Sequence, residues 1–272
     1  MIEAFNAIRY PRSTIVPLVL WVLTMITLPI LGWILGEGYL IRGMAFGVIM
    51  QAAAVLAILF YAWGWARTLK TFAIVVVLSY LAEFLGSSTG IPFGKYEYTG
   101  LLQPQLAGVP LLIPLAWMMM LPPAWAIASI ILKKTLPHNR HEETQRKILW
   151  GLAPFLVKFV FLSSLAFTAW DLFLDPQMVG WGFWVWENPG AYFGIPLSNY
   201  LGWIVVSAII TLAANPKNLP VGPLSLVYVL TWLLQTIGQG IFWSQPGPAA
   251  VGFVGSGIFV WLAWKKSIKS EK

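Results

Sequence analysis

The chain has 272 residues, 58% hydrophobic and 10% charged, with a mean hydropathy of +0.75. A soluble domain carries about a quarter charged residues, so this composition excludes a water-soluble globule and makes lipid the solvent for most of the surface. The net charge of +7 points to anionic headgroups rather than nucleic acid as neighbours, and the lack of cysteine excludes disulfides and thiolate chemistry.

The expected fold is an all-α polytopic membrane protein, a single integral domain over 1–272. Eight apolar runs are long enough to span, or nearly so: 15–36, 41–66, 71–86, 107–132, 148–174, 198–214, 221–243 and 249–264. The first follows Arg9 and Arg12 like a secretory signal. Its apolar region is too long and no small-residue cleavage site follows, so a retained helix is expected. Gly32/Gly36 and Gly43/Gly47 suggest close helix contact between the first two spans.

Basic residues fix the orientation. With both termini cytoplasmic, 14 of the 17 Lys and Arg fall in the inner segments, only Arg42 and Lys95 in the outer loops, and Lys158 within a span. Lys158 lies 13 residues from Asp171, about 20 Å along one helix, so it is expected to snorkel inward. His138 and His141 sit in the basic loop after the fourth span, away from any apolar segment. Glu37, Glu83, Glu97, Asp171, Asp175 and Glu187 all fall at the opposite side.

The third span carries Ser79, Glu83 and Ser87 as a polar stripe at four-residue spacing. An intramembrane carboxylate marks a functional position or a helix–helix hydrogen bond. In the loop that follows, Phe93, Tyr96 and Tyr98 surround Glu97, which an extended backbone turns away from both tyrosines, toward Lys95. Met118–Met120 in the fourth span read as adaptable packing.

The fifth span ends in Asp171 and Asp175, about 6 Å apart on one helix face. Pro176 favours ending the helix there. Two carboxylates that close repel, so one is expected to hold a proton and to serve as a general acid. The alternative is a capping role for Asp175 and a structural hydrogen bond for Asp171. Between Trp170 and Trp203 the chain has five Trp, three acids (Asp171, Asp175, Glu187) and no Lys or Arg. The aromatics, Trp170, Trp181, Trp184 and Trp186 among them, fit an interfacial belt and also a cage for a developing carbocation.

Two stretches match each other. Gly108–Trp117 and Gly194–Trp203 share the pattern G-[VI]-P-L-x-x-x-L-[AG]-W, each with an upstream acid (Glu83, Asp171) and a Gly-x-Tyr between (Tyr96, Tyr192). An internal helix–loop–helix repeat, 71–132 and 148–214, is therefore expected, with a binding site at its interface. Convergence on common residues is the other reading.

The segments AEFLGSSTGIPFGKYEYTGLLQPQLAGVPLLIPLAWMMM and AWDLFLDPQMVGWGFWVWENPGAYFGIPLSNYLGW resemble the carotenoid biosynthesis protein family of bacteria and haloarchaea, whose characterised members are carotenoid 1,2-hydratases. The resemblance implies addition of water across the terminal C1=C2 bond of an acyclic ψ-end, giving a tertiary alcohol. It implies an acyclic or monocyclic carotenoid as substrate, the cell membrane as the site of action, membrane lipid and other carotenoid-pathway enzymes as neighbours, and neither cofactor nor metal. It assigns no residues, so the roles come from the chain's own acids. Asp171 or Asp175 is expected as the acid and Glu83 as the base that orients water, or the reverse. Tyr96, Tyr98, Phe93, Trp117, Trp170, Trp186, Trp203, Glu97, Glu187 and Asn199 are expected to bind substrate. A carotenoid or terpenoid cyclase, another prenyl-lipid enzyme and a lipid transporter with proton-relay acids are the competing readings.

Overall fold

The computed structural model describes residues 12–133 and 145–271. The basic loop with His138 and His141 lies outside them. Eight helices account for most of the rest: α1 (Arg12–Leu35), α2 (Glu37–Trp63), α3 (Trp65–Thr89), α4 (Leu112–Leu132), α5 (Gln145–Gly180), α6 (Leu197–Ala214), α7 (Val221–Ile237) and α8 (Pro246–Glu271). Each, α7 together with the π-helical turn Gly238–Phe242 that continues it, supplies a segment long and apolar enough to cross a membrane, so the chain is an all-α polytopic membrane protein. Large apolar side chains such as Ile34, Val157 and Leu201 stand exposed on the outer faces, as a lipid solvent permits.

α4 occupies the centre and packs against α2, α3, α5, α7 and α8. Its residues from Ala116 to Ala128 are continuously buried, Met118–Met120 included. Some buried polar groups bond across the interfaces: the Trp125 indole donates to Thr211 Oγ1 at 2.8 Å, and the Tyr228 hydroxyl donates to the Ala166 carbonyl at 2.8 Å. α1 lies close against α2 because Gly43 has no side chain; a Cβ there would stand 2.8 Å from Leu31 and 2.9 Å from Leu28. Gly36, by contrast, serves the turn between these helices at φ +90° rather than a helix contact.

Three differences from the boundaries read in the sequence shape the architecture. α3 starts at Trp65, with Gly64 (φ +77°) alone separating it from α2. Residues 107–111 precede α4 as part of a hairpin, β2 (Gln105–Leu106) against β3 (Val109–Pro110). Its two-residue turn, Ala107–Gly108, has positive φ at both positions (47° and 82°), the geometry that the twist of a tight hairpin requires. The matching stretch makes the same turn at Phe193–Gly194 (φ 47° and 88°), bridged by Tyr192 and Ile195.

The third difference bears on the site. α5 does not end at Asp175 but continues through Pro176 to Gly180. A proline inside a helix forfeits the bond to the carbonyl four residues earlier, here Leu172. The Tyr192 hydroxyl donates to that oxygen at 2.9 Å, and the Gln239 amide donates to the neighbouring Phe173 carbonyl at 2.7 Å. The helix passes its proline because two side chains from later in the chain satisfy its carbonyls.

Candidate active site

Two strands close the bundle above the acids. β1 (Tyr96–Tyr98) pairs antiparallel with β4 (Trp184–Trp186), placing Tyr96 opposite Trp186 and Tyr98 opposite Trp184. Side chains alternate across a strand, so the two tyrosines and two tryptophans turn inward while Glu97 and Val185 stand exposed. Phe93 anchors the ribbon by filling a slot between α3 and α6 that two glycines leave open. A Cβ at Gly86 would lie 2.5 Å from the Phe93 ring, and one at Gly202 2.6 Å from it.

The ribbon delivers donors to the acids. Glu83, buried on α3, accepts from Tyr96 at 2.6 Å and Tyr98 at 2.8 Å through Oε2, and from the Trp117 indole at 3.0 Å through Oε1. On α5, Asp175 Oδ1 accepts from the Trp184 indole at 2.7 Å. The Asn199 amide of α6 bridges the aspartates, donating from one nitrogen to Asp171 Oδ2 at 2.9 Å and to Asp175 Oδ2. Asp171 Oδ1 is buried with no partner. Burial first, and the Glu83 charge second, hold the Tyr96 and Tyr98 phenols well above the usual tyrosine range, so they remain hydrogen-bond donors at neutral pH.

Glu83 and Asp175 line one cavity with about 90 Å³ of room for water-sized molecules. Its walls are mostly apolar. Trp117 and Trp203 stack with centroids 4.7 Å apart and 22° between planes, and Trp170 meets Trp203 edge-on at 5.9 Å. Far from the acids in sequence, α1 and α2 contribute Trp21, Met25, Leu28, Met44 and Gln51. The arrangement joins carboxyl groups that can exchange protons to π faces that can stabilise positive charge.

Of the sequence-derived site residues, Glu83, Asp175, Tyr96, Tyr98, Trp117, Trp170, Trp186, Trp203 and Asn199 face this cavity. Asp171 sits behind Asp175, wholly buried, and reaches it through Asn199. Phe93 lies in its glycine slot instead of the cavity wall. Glu97 and Glu187 are on the exposed face of the ribbon. Lys95 pairs with Glu187 at 2.9 Å across the strands, not with Glu97, because the pairing register brings their backbones together: the Glu187 amide donates to the Lys95 carbonyl at 2.9 Å. The hydrogen bond and charge of Glu187 raise the Lys95 pKa.

Sequence reading missed the glutamines. Gln51, Gln177 and Gln235 line the cavity, and Gln239 joins the last two. Their signal was available: amides within apolar spans, with Gln235 and Gln239 one helical turn apart.

The sequence model of a family described as "Carotenoid biosynthesis protein" matches residues 43–258. The bisanhydrobacterioruberin hydratase of Haloarcula japonica is 30% identical over 139 residues, which are 51% of this chain and 41% of the relative. The match thus covers less than half of that relative's length. No solved structure matches the chain.

Proposed function

Since the chain belongs to the carotenoid biosynthesis protein family, we propose that it is a carotenoid hydratase of the cell membrane, adding water to the terminal C1=C2 bond of an acyclic ψ-end. The observation that carries this reading is the placement of Glu83 and Asp175 on one apolar cavity walled by tryptophan faces. The relative's name, a hydratase, supports the reaction class.

In this mechanism Asp175 donates a proton to C2, drawing on the pair it forms with Asp171 through Asn199. Two adjacent carboxylates that share one proton avoid the repulsion of two charges. The tertiary cation left at C1 faces the stacked Trp117 and Trp203 and the nearby Trp170. A water adds its oxygen to C1 and loses a proton to Glu83. The polyene leaves the cavity toward lipid, which supplies and receives the substrate. Proton return from Glu83 to the aspartates completes the cycle, and Tyr98, which bonds Glu83 and packs on Trp184 at 5.8 Å, stands between them.

Co-expression with a lycopene- or γ-carotene-producing pathway tests the reading. The expected product has gained one water. A cyclic isomer of unchanged mass would favour a cyclase, and transport into liposomes without any product would favour a carrier.

A further inference from the structure

A hydratase built in lipid must obtain water, and the ribbon closes the acid end of the cavity with aromatic side chains. A polar track enters from another side. Thr231 and Gln235 on α7 and Gln239 just beyond its end succeed one another at four-residue spacing and are all buried, Gln239 at 0% exposure. Uncompensated amides at such positions are costly. A π-helical turn, Gly238–Phe242, ends the helix and holds Gln239; single π turns are frequent at functional sites because the extra residue redirects side chains.

The Gln239 amide nitrogen bonds Phe173 O at 2.7 Å, Gln177 Oε1 at 3.2 Å and Gln235 Oε1 at 3.4 Å. Its two hydrogens serve these three acceptors, so Gln177 and Gln235 each turn the side-chain oxygen toward Gln239 and keep the amino group for another partner. Outward from there, Gln245 at the head of α8 bonds the Gln239 carbonyl through its backbone amide (3.0 Å) and Pro176 O through its side chain (3.0 Å). The side-chain oxygens of Gln239 and Gln245 are buried and accept nothing from the protein. Two buried amide oxygens without a protein partner, on Gln245 and Gln239, thus lie between a half-buried residue at the bundle end and the two glutamines that line the cavity holding Glu83 and Asp175.

We propose that the track Gln245–Gln239–Gln177/Gln235 binds and delivers the reacting water, with Gln177 and Gln235 holding it beside the cavity and Gln239 positioning both. This rests on the hydratase reading and names the path of its second substrate. The atoms balance as before: the carboxyl proton goes to C2, the delivered oxygen to C1, and the proton released from that water to Glu83.

The test separates protonation from water capture. Wild type, Gln239→Met, Gln235→Met and Gln239→Asn, which keeps the donating amide, are incubated in heavy water with lycopene in detergent micelles. Alcohol yield and deuterium in the recovered alkene are measured together. Reversible protonation places deuterium in the alkene without needing water at C1, because the cation can lose a proton back to a carboxylate. The expected result is an alcohol yield about tenfold lower in both methionine variants, with deuterium in recovered or isomerised alkene unchanged or raised, and partial recovery in Gln239→Asn. Alcohol and deuterium falling in parallel would overturn the proposal by showing a packing defect. Unchanged alcohol in both methionine variants would overturn it too. If wild type exchanges deuterium but forms no alcohol, the hydratase reading itself fails and takes this inference with it.

Discussion

Trp117 and Trp203 lie face to face at 4.7 Å, each seven residues beyond the proline of a matching motif. The relation joins two helices that are far apart in sequence, α4 and α6, at the middle of the cavity wall. It also ties the wall to the acid, because the Trp117 indole holds Glu83 at 3.0 Å.

Trp117→Phe keeps an aromatic face and removes the donor. A hydrogen bond to a charged group contributes about 1.5–3 kcal/mol, so hydration should slow about tenfold or more if Glu83 acts as the base. Product formation per molecule of folded protein measures this. An unchanged rate would remove Glu83 from the mechanism.

The aspartates should separate in their effects. Asp175 lines the cavity and Asp171 stands behind it. Asp175→Asn should abolish both hydration and deuterium exchange, a loss of about 10²–10⁴ for general acid catalysis. Asp171→Asn should retain measurable exchange. The reverse order would make Asp171 the donor.

The tyrosines give a pH prediction. Their pKa values are raised in the folded protein, so the folded state holds these protons more tightly than the unfolded chain. The stability this provides is complete below the unfolded tyrosine value of about 10, and is lost as pH rises beyond it toward the folded values. Absorbance titration should therefore show fewer phenolates than the nine tyrosines of the chain until unfolding. Tyr96→Phe and Tyr98→Phe should each reduce the number of missing phenolates by one. Ionisation of all nine near pH 10 in folded protein would contradict it.

Gly202→Ala would place a methyl 2.6 Å from Phe93 and 3.0 Å from the Pro92 carbonyl. Overpacking costs about 1–3 kcal/mol, and backbone on one side leaves little room to relax. A lower unfolding temperature in detergent is expected, partly restored by adding Phe93→Leu. Activity should fall as well, since Phe93 seats the ribbon that carries Tyr96 and Tyr98. A variant as stable as wild type would show that the slot is slack.

Span number and class were legible because lipid imposes a length and a composition on every helix, and each crossing repeats that signal independently. Glu83 and the aspartates stood out for the same reason: an acid in an apolar run is conspicuous. The alternation of β1 was legible too, and it turned Glu97 outward as expected. Other features depended on partners distant in the chain. Pro176 argues locally for a helix end, and only Tyr192 and Gln239, brought in by later segments, allow α5 to continue. Lys95 has Glu97 as its near neighbour in sequence, yet strand pairing gives it Glu187.

The sequence by itself determined that this is an eight-span helical protein with acids stranded in apolar surroundings, since hydropathy and charge act through local composition. The tertiary structure alone decided which acid meets the cavity, which stands behind it, and that three buried glutamines reach the same space. Those are matters of relative position between helices, and hydrogen-bond partners that lie tens to hundreds of residues apart leave no periodic trace in the chain.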